Sequence, residues 1–118
     1  MVRVDTQLTP YRLDLNSRRP VELMVEVVND SDRTQIISYD IVLANTLGFD
    51  KQGLKNSIVR KFDGMQPNEK SREYFEVWPK ATARRGNHPI LITITEHYNS
   101  YKYILGKKRK RLELKVTE

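Results

Sequence analysis

The sequence predicts an all-β fold, an antiparallel β-sandwich of seven to eight short strands that forms a single domain over residues 1–118. Apolar and polar residues alternate with a period of two through most of the chain, which is typical of strands with one buried face. Turn residues separate these alternating runs, and no long segment has a helical period. Short strands of this kind bury their apolar faces when two sheets pack against each other.

The N-terminal half contains two weak and two clear strands. The fragments VRVD and YRLDL alternate only briefly, whereas PVELMVEVVN and TQIISYDIVLA alternate over most of their length. The segment NDSD between the clear strands has side chains that bond their own backbone, so it predicts a turn. The segment NTLGFDKQGLKN, residues 45–56, has two glycines and no sustained period. We expect it to be a loop with at most an edge-strand fragment.

The C-terminal half continues the pattern. SIVRKF predicts a short edge strand, DGMQPNE a turn, and SREYFEVWP a strand that Pro79 ends because proline lacks a backbone donor. KATARRGN is compatible with one helical turn, and HPILITITEHY predicts a strand rich in β-branched residues. The remaining residues predict a basic C-terminal hairpin over residues 98–116, with its bend at Gly106.

Composition excludes several kinds of site. The chain has no cysteine, which excludes disulfides, thiolate zinc sites and thiol catalysis. No nucleophile elbow, P-loop, dinucleotide fingerprint or zinc-protease motif occurs, so we expect neither enzyme activity nor a cofactor. No apolar run approaches the ~20 residues of a membrane-spanning helix, and the N-terminus has no apolar signal region. We therefore expect a cytoplasmic protein if Met1 is the natural start, and an excised ectodomain would overturn that expectation.

The order of several features resembles that of Ig-like accessory domains. The strand VEVVND, the MQPNE turn, the strand YFEVWP and the glycine before the β-branched strand in RGNHPILITIT resemble the adhesion-related CARDB and NEW3 families and, more remotely, arrestin-like sandwiches. In those families a proline-glycine-glutamate turn precedes an alternating strand. Here Asn68 stands in place of the glycine, and asparagine tolerates the left-handed backbone. The resemblance covers residues 20–116 and implies an Ig-like sandwich that binds, spaces or presents other molecules.

Three polar clusters suggest chemistry but have simpler structural explanations. Glu96 and His97 are neighbours in a predicted strand, so they point to opposite faces and cannot form an acid–base pair. His88 and His97 lie at opposite ends of that strand, about 30 Å apart, which is too far to share a metal ion. Asp30 and Asp32 offer oxygen ligands for calcium but lack the glycine and distal acid of an EF-hand. We expect an Asx-type turn there.

Positive charge is concentrated at the C-terminus. The chain has a net charge of +6, and the segment from Ser100 onward carries seven Lys or Arg against two Glu. Basic groups bind phosphates and tyrosine rings stack on bases, so this segment is a candidate contact for an anion or a nucleic acid. The candidate residues are Tyr101, Lys102, Tyr103, Lys107, Lys108, Arg109, Lys110 and Arg111. A solvated hairpin that blocks edge-to-edge pairing is the favoured alternative, and contact with an acidic protein or an anionic membrane surface is the third.

Apolar residues outside the predicted core are candidates for contact with another protein. The loop 45–56 carries three of them, Leu47, Phe49 and Leu54. Tyr74 and Trp78 lie on the face of their strand opposite Phe75, and we expect the tryptophan face to be the buried one. The alternative is that this face is outward and forms an exposed aromatic pair of the kind found at binding hot spots.

The sequence thus predicts a non-enzymatic protein-interaction module that binds through a sheet edge or through an end loop such as 45–56. The alternative is a nucleic-acid-binding domain that uses the basic segment 102–111 of the hairpin.

Overall fold

The computed structural model describes residues 2–17, 19–98 and 100–118, which form two β-sheets packed face to face. The strands of the described residues are β1 Val2–Thr9, β2 Arg12–Asp14, β3 Val21–Asn29, β4 Gln35–Leu43, β5 Leu47–Gly48, β6 Ser57–Met65, β7 Lys70–Pro79, β8 Gly86–Tyr98 and β9 Ser100–Thr117. One sheet has the order β1-β3-β7-β5 and the other the order β2-β9-β8-β4-β6. The prediction of an all-β sandwich is confirmed, and the two-residue β5 confirms the expected edge-strand fragment. The described residues contain no helix that could cross a membrane.

The core lies between the two sheets and is built from alternate residues of the strands. Leu23 and Val25 of β3 are completely buried, as are Ile90 and Ile92 of β8. Each such side chain contributes about 1.5–3 kcal/mol relative to an exposed one, so the alternating strands supply the main favourable term in folding.

The N-terminal segment divides between the two sheets. β1 pairs antiparallel with β3, and after the cis peptide bond between Thr9 and Pro10 the chain crosses to the other sheet. There β2 pairs in parallel with Lys115–Thr117 of β9. This pair is the one departure from antiparallel order among the described strands. β2 therefore covers only the C-terminal end of β9.

The predicted bend at Gly106 is wrong. Residues Ser100–Thr117 form one strand, β9, which pairs with β8. The basic residues lie in a hairpin, as predicted, but its arms are β8 and β9 and the chain reverses between Tyr98 and Ser100. Asn99 lies outside the described residues. A glycine beside lysines favours a bend locally. Here β8, which is rich in β-branched residues, pairs with β9 on both sides of Gly106, so the strand continues with only a shift of register at the glycine.

Two turns differ from the sequence prediction in extent or type. The turn between β6 and β7 is shorter than predicted because β6 continues through Met65. Within it Asn68 has a φ of 64°, which confirms that asparagine takes the left-handed backbone here. The segment KATARRGN forms no helical turn. The Ala83 N–H donates to the Lys80 carbonyl at 3.0 Å, which closes a β-turn instead.

The buried side chain of Asn29 joins three segments at one end of the sandwich. Its Nδ2 donates to the carbonyls of Arg33 at 2.9 Å and Met65 at 2.8 Å, and its Oδ1 accepts from the Ser31 N–H at 3.1 Å. The bond to Ser31 confirms the Asx-type turn. The Asn68 N–H donates to the Asn29 carbonyl at 2.7 Å. One side chain thus ties the β3–β4 turn to the end of β6.

We expect Asn29→Ala to lower the free energy of unfolding by about 2–3 kcal/mol, because it leaves buried carbonyls without a donor. Urea denaturation measures the change. The control is Asn45→Ala, which removes an exposed amide and should change stability by less than about 0.5 kcal/mol. Equal effects of the two substitutions would contradict the role of Asn29.

Candidate interaction edge

β9 is the edge strand of the five-stranded sheet along most of its length. β8 pairs with one side of β9, whereas β2 pairs with the other side only at residues 115–117. Within the described residues, no strand covers the outer side of residues 100–114. The unpaired backbone N–H and C=O groups of such an edge are available to another strand.

Two lysines of this edge lie on the core-facing side of the sheet. Lys108 is opposite Ile94 and Lys110 is opposite Ile92, and both isoleucines are buried. Residues directly opposite each other in an antiparallel pair lie on the same face, so both lysine stems extend toward the rim of the core. Neither lysine takes part in an ion pair with another residue in the part of the chain that the structure describes.

The residues predicted to bind nucleic acid do not form one surface. Lys107, Arg109 and Arg111 lie on the outer face of the sheet, opposite to the face of Lys108 and Lys110. A phosphate backbone that followed either face would meet only part of the set. The structure therefore gives no support to the nucleic-acid prediction.

The two rims of the sandwich differ in how they are closed. On the β6–β7 side, Arg60 Nε lies 2.8 Å from Glu73 Oε2, and the Tyr39 hydroxyl donates to Oε1 of the same carboxylate at 3.1 Å. Burial, and then the charge of Glu73, raises the pKa of Tyr39, which keeps its hydroxyl protonated. On the β1–β9 side there is instead a cavity of about 280 Å³. It is lined by Val2, Ile94, Glu96, Gly106, Lys107 and Lys108.

Tyr101, predicted to stack on a ligand, is held against the sheet. Its hydroxyl donates to Asp63 Oδ1 at 2.6 Å, and its ring packs edge-on against His97 with ring centroids 5.1 Å apart. The Lys61 ammonium lies 5.1 Å from the centre of the same ring. Burial and the hydrogen bond to Asp63 raise the pKa of Tyr101 to about 12. Sequence patterns do not reveal this contact, because it joins β6 to a bulged part of β9.

Ser38 and His97 form a pair that resembles a nucleophile and its base. Ser38 Oγ lies 2.7 Å from His97 Nε2. A catalytic pair also needs a group that orients the base, and in the described residues nothing bonds to the buried Nδ1 of His97. The Asp63 carboxylate is bonded to Tyr101, and Glu96 lies on the other face of β8, as predicted. The arrangement holds the end of the hairpin and does not assemble a triad.

His88 has a structural role at the opposite end of β8. Its Nε2 donates to the Arg84 carbonyl at 2.6 Å, so its Nδ1 accepts from the Thr46 hydroxyl. These bonds connect β8 to the segments before β5 and after β7. The described residues contain no cluster of three or more potential metal ligands.

The predicted protein-contact loop is more compact than expected. Leu47 is completely buried, and Phe49 packs against the core with its ring 6.0 Å from that of Phe75. A Cβ on Gly48 would lie 2.7 Å from the Gly53 Cα, so the loop folds back on itself. Of the three candidates only Leu54 is freely exposed, because Leu47 and Phe49 pack into the fold. Contact of this loop with a partner protein stays a prediction.

The buried face of β7 is the opposite of the one predicted. Phe75 and Val77 are buried, whereas Trp78 is half-buried and Tyr74 is 56% exposed. Alternation separates the two faces of a strand but does not say which one the other sheet covers. Here the register with β3 decides: Phe75 is opposite the buried Leu23 and Val77 is opposite the buried Val21, so this pair shares the core face.

The geometry defines an Ig-like β-sandwich in which most of β9 is an open sheet edge. Neither a family model nor a curated protein matches the sequence. Among solved structures, self-complemented MyfA, the major subunit of Myf fimbriae from Yersinia enterocolitica, is 10% identical, with a TM-score of 0.55 over 98% of this chain and 99% of that chain. The same subunit in complex with galactose is 11% identical with the same TM-score and coverage. A FixG-related protein from Vibrio parahaemolyticus is 11% identical, with a TM-score of 0.49 over 96% of this chain and 95% of that chain.

At these identities the likeness concerns the fold alone. The description of MyfA names neither a CARDB nor a NEW3 domain. The resemblance to those two families therefore stays a prediction.

The Tyr101 contact predicts a specific loss of stability at alkaline pH. A tyrosine whose pKa is about 12 in the folded protein and ~10 in the unfolded chain stabilises the fold below about pH 10, and that contribution is lost as the pH rises toward about 12. We expect Tyr101→Phe to lose less stability than the parent protein between about pH 9 and about pH 11, measured by urea denaturation at both values. The loss of stability of Asp63→Asn over the same pH range should lie between those of the parent protein and Tyr101→Phe. Identical losses in all three proteins would show that the contact does not form.

Proposed function

We propose that the chain is a non-enzymatic protein-interaction module whose β9 edge accepts an extended, acidic segment of a partner protein. The observation that carries this proposal is the unpaired side of residues 100–114, with Lys108 and Lys110 at the rim of the core. An added strand would gain backbone hydrogen bonds along β9, and its alternate acidic side chains would meet the lysines.

The β9 edge suits this role better than the opposite rim. There the ion pair between Arg60 and Glu73 spans the two sheets, and the Tyr39 hydroxyl bonds to the same carboxylate. The outer side of β6 is also an unpaired edge among the described strands, but the side chains at that rim are already bonded to each other. At β9 an incoming strand would meet only the cavity of about 280 Å³ and solvated lysine stems.

The charge of β9 favours an acidic partner over a second copy of the chain. If two β9 strands paired antiparallel around Arg109, Lys108 would face Lys110 and Lys107 would face Arg111. Like charges directly opposite each other destabilise a strand pair. A segment that alternates acidic and apolar residues places opposite charges at the same positions.

The shared fold of MyfA, a fimbrial subunit, is in keeping with a structural or binding role.

The test measures binding of a synthetic peptide that alternates valine and glutamate over about ten residues, which would span about 33 Å of the edge. We expect Lys108→Glu combined with Lys110→Glu to weaken binding by about tenfold, equivalent to ~1.4 kcal/mol, at low salt. Fluorescence anisotropy of a labelled peptide gives the affinity, and circular dichroism checks the fold of each variant.

Two controls separate strand addition from general attraction. Arg84→Glu with Arg85→Glu makes the same charge change at exposed positions before β8 and should leave the affinity within about twofold. A peptide N-methylated at alternate residues keeps its charge but loses half its backbone donors, and should bind at least about tenfold more weakly. Equal weakening by both double variants, or full binding by the N-methylated peptide, would falsify the proposal.

A further inference from the structure

The end of the β8–β9 hairpin exposes a run of apolar side chains. Tyr103, Ile104 and Leu105 are 61%, 54% and 65% exposed, and Tyr98 on the facing strand is 58% exposed. Scattered single apolar residues on a surface need no explanation. Three consecutive ones are a liability in a protein unless they contact something. We refer to Tyr98 and Tyr103–Leu105 as the hairpin tip.

The sheet pairing is irregular at the hairpin tip. His97 pairs with Ile104 and Tyr98 pairs with Ser100, so three β9 residues between these pairs have no partner on β8. Such a bulge bends the strand and takes its side chains out of the alternation. The hydrogen bond of Tyr101 to Asp63 and the packing of its ring against His97 fix the base of the bulge. The tip is therefore presented from an anchored base.

Basic residues lie directly beside the hairpin tip. Lys102 precedes its β9 residues and Lys107 follows them after Gly106, and both are exposed. Lys107 is two residues from Leu105, about 7 Å along a strand. This distance is shorter than the ~8 Å Debye length at physiological ionic strength. A negatively charged surface that contacts the apolar residues will therefore be attracted by the lysine charges.

We propose that the hairpin tip binds peripherally to an anionic lipid surface, with its apolar side chains in the interfacial region and its lysines at the headgroups. Isoleucine and leucine side chains are apolar. Tyrosine combines an apolar ring with a polar hydroxyl, which suits the membrane interface. Nearby lysines are attracted to anionic lipids. Apolar burial and charge attraction together bind a lipid surface more strongly than either does alone. The apolar side chains of the tip are more than half exposed, as contact with a lipid surface requires. This surface is separate from the strand edge described above, and the inference does not rest on the proposed function.

The first test is sedimentation of the protein with vesicles. We expect binding to phosphatidylcholine vesicles that contain about 30% phosphatidylserine, and at least about tenfold weaker binding to phosphatidylcholine alone. The triple variant Tyr103→Ser, Ile104→Ser, Leu105→Ser should lower the affinity at least about tenfold. The matched control is Leu54→Ser, Val59→Ser, Tyr74→Ser, which removes three apolar residues that are 86%, 55% and 56% exposed elsewhere and should bind as the parent protein does.

The second test locates the contact. Tyr103→Trp in a Trp78→Phe background places the chain's one tryptophan at the tip, and lipids brominated along the acyl chain should quench its fluorescence. Tyr74→Trp in the same background should not be quenched. The inference is overturned if the protein does not bind anionic vesicles, if the triple variant binds as tightly as the control, or if the tryptophan introduced at the tip is not quenched. Self-association that the triple variant abolishes, without vesicle binding, would assign the tip to a protein contact and also overturn it.

Discussion

The register between β8 and β9 is the constraint on which the rest of the structure depends. With Ile90, Ile92 and Ile94 facing the core, each residue of β9 has a fixed side of the sheet. A slip of one residue would move Lys108 and Lys110 to the outer face and bring Arg109 toward the core. The same register brings the last residues of β9 to the place where β2 joins them. The packing of the core side of β9 and its charge distribution thus follow from one ladder.

The open edge follows from how the N-terminal segment is shared between the sheets. β1 completes the four-stranded sheet, so the chain reaches the other sheet only after Thr9 and covers just three residues of β9. The remainder of β9 is protected by charge instead of by a neighbouring strand. Inward-pointing lysines are a common means of preventing uncontrolled strand pairing. They also restrict the edge to segments that can neutralise them, so protection and selectivity have the same origin.

The sequence was sufficient for features set by local chemistry or by period. The alternation of β3 and β8, the Asx-type turn at Asn29 and the left-handed Asn68 all depend on residues close together in the chain. The errors lie where distant segments decide. Gly106 favours a bend until β8 is available to pair with it. Trp78 lies on a face whose burial depends on how β7 pairs with β3, a strand far away in the sequence. The contact of Tyr101 with Asp63 requires a bulge that no periodicity shows.

The two surfaces of β9 are close but need not compete. The hairpin tip ends at Leu105 and the first core-facing lysine of the edge is Lys108, a separation of about 10 Å along the strand. The tip belongs to the irregular end of the β8–β9 ladder, whereas an added strand would lie beside the regular part of β9. The anchoring of Tyr101 by Asp63 and His97 matters to both surfaces, because it fixes where the ladder ends and the bulge begins. A loss of that anchor would change the tip directly and the edge only through the first pairs of β9.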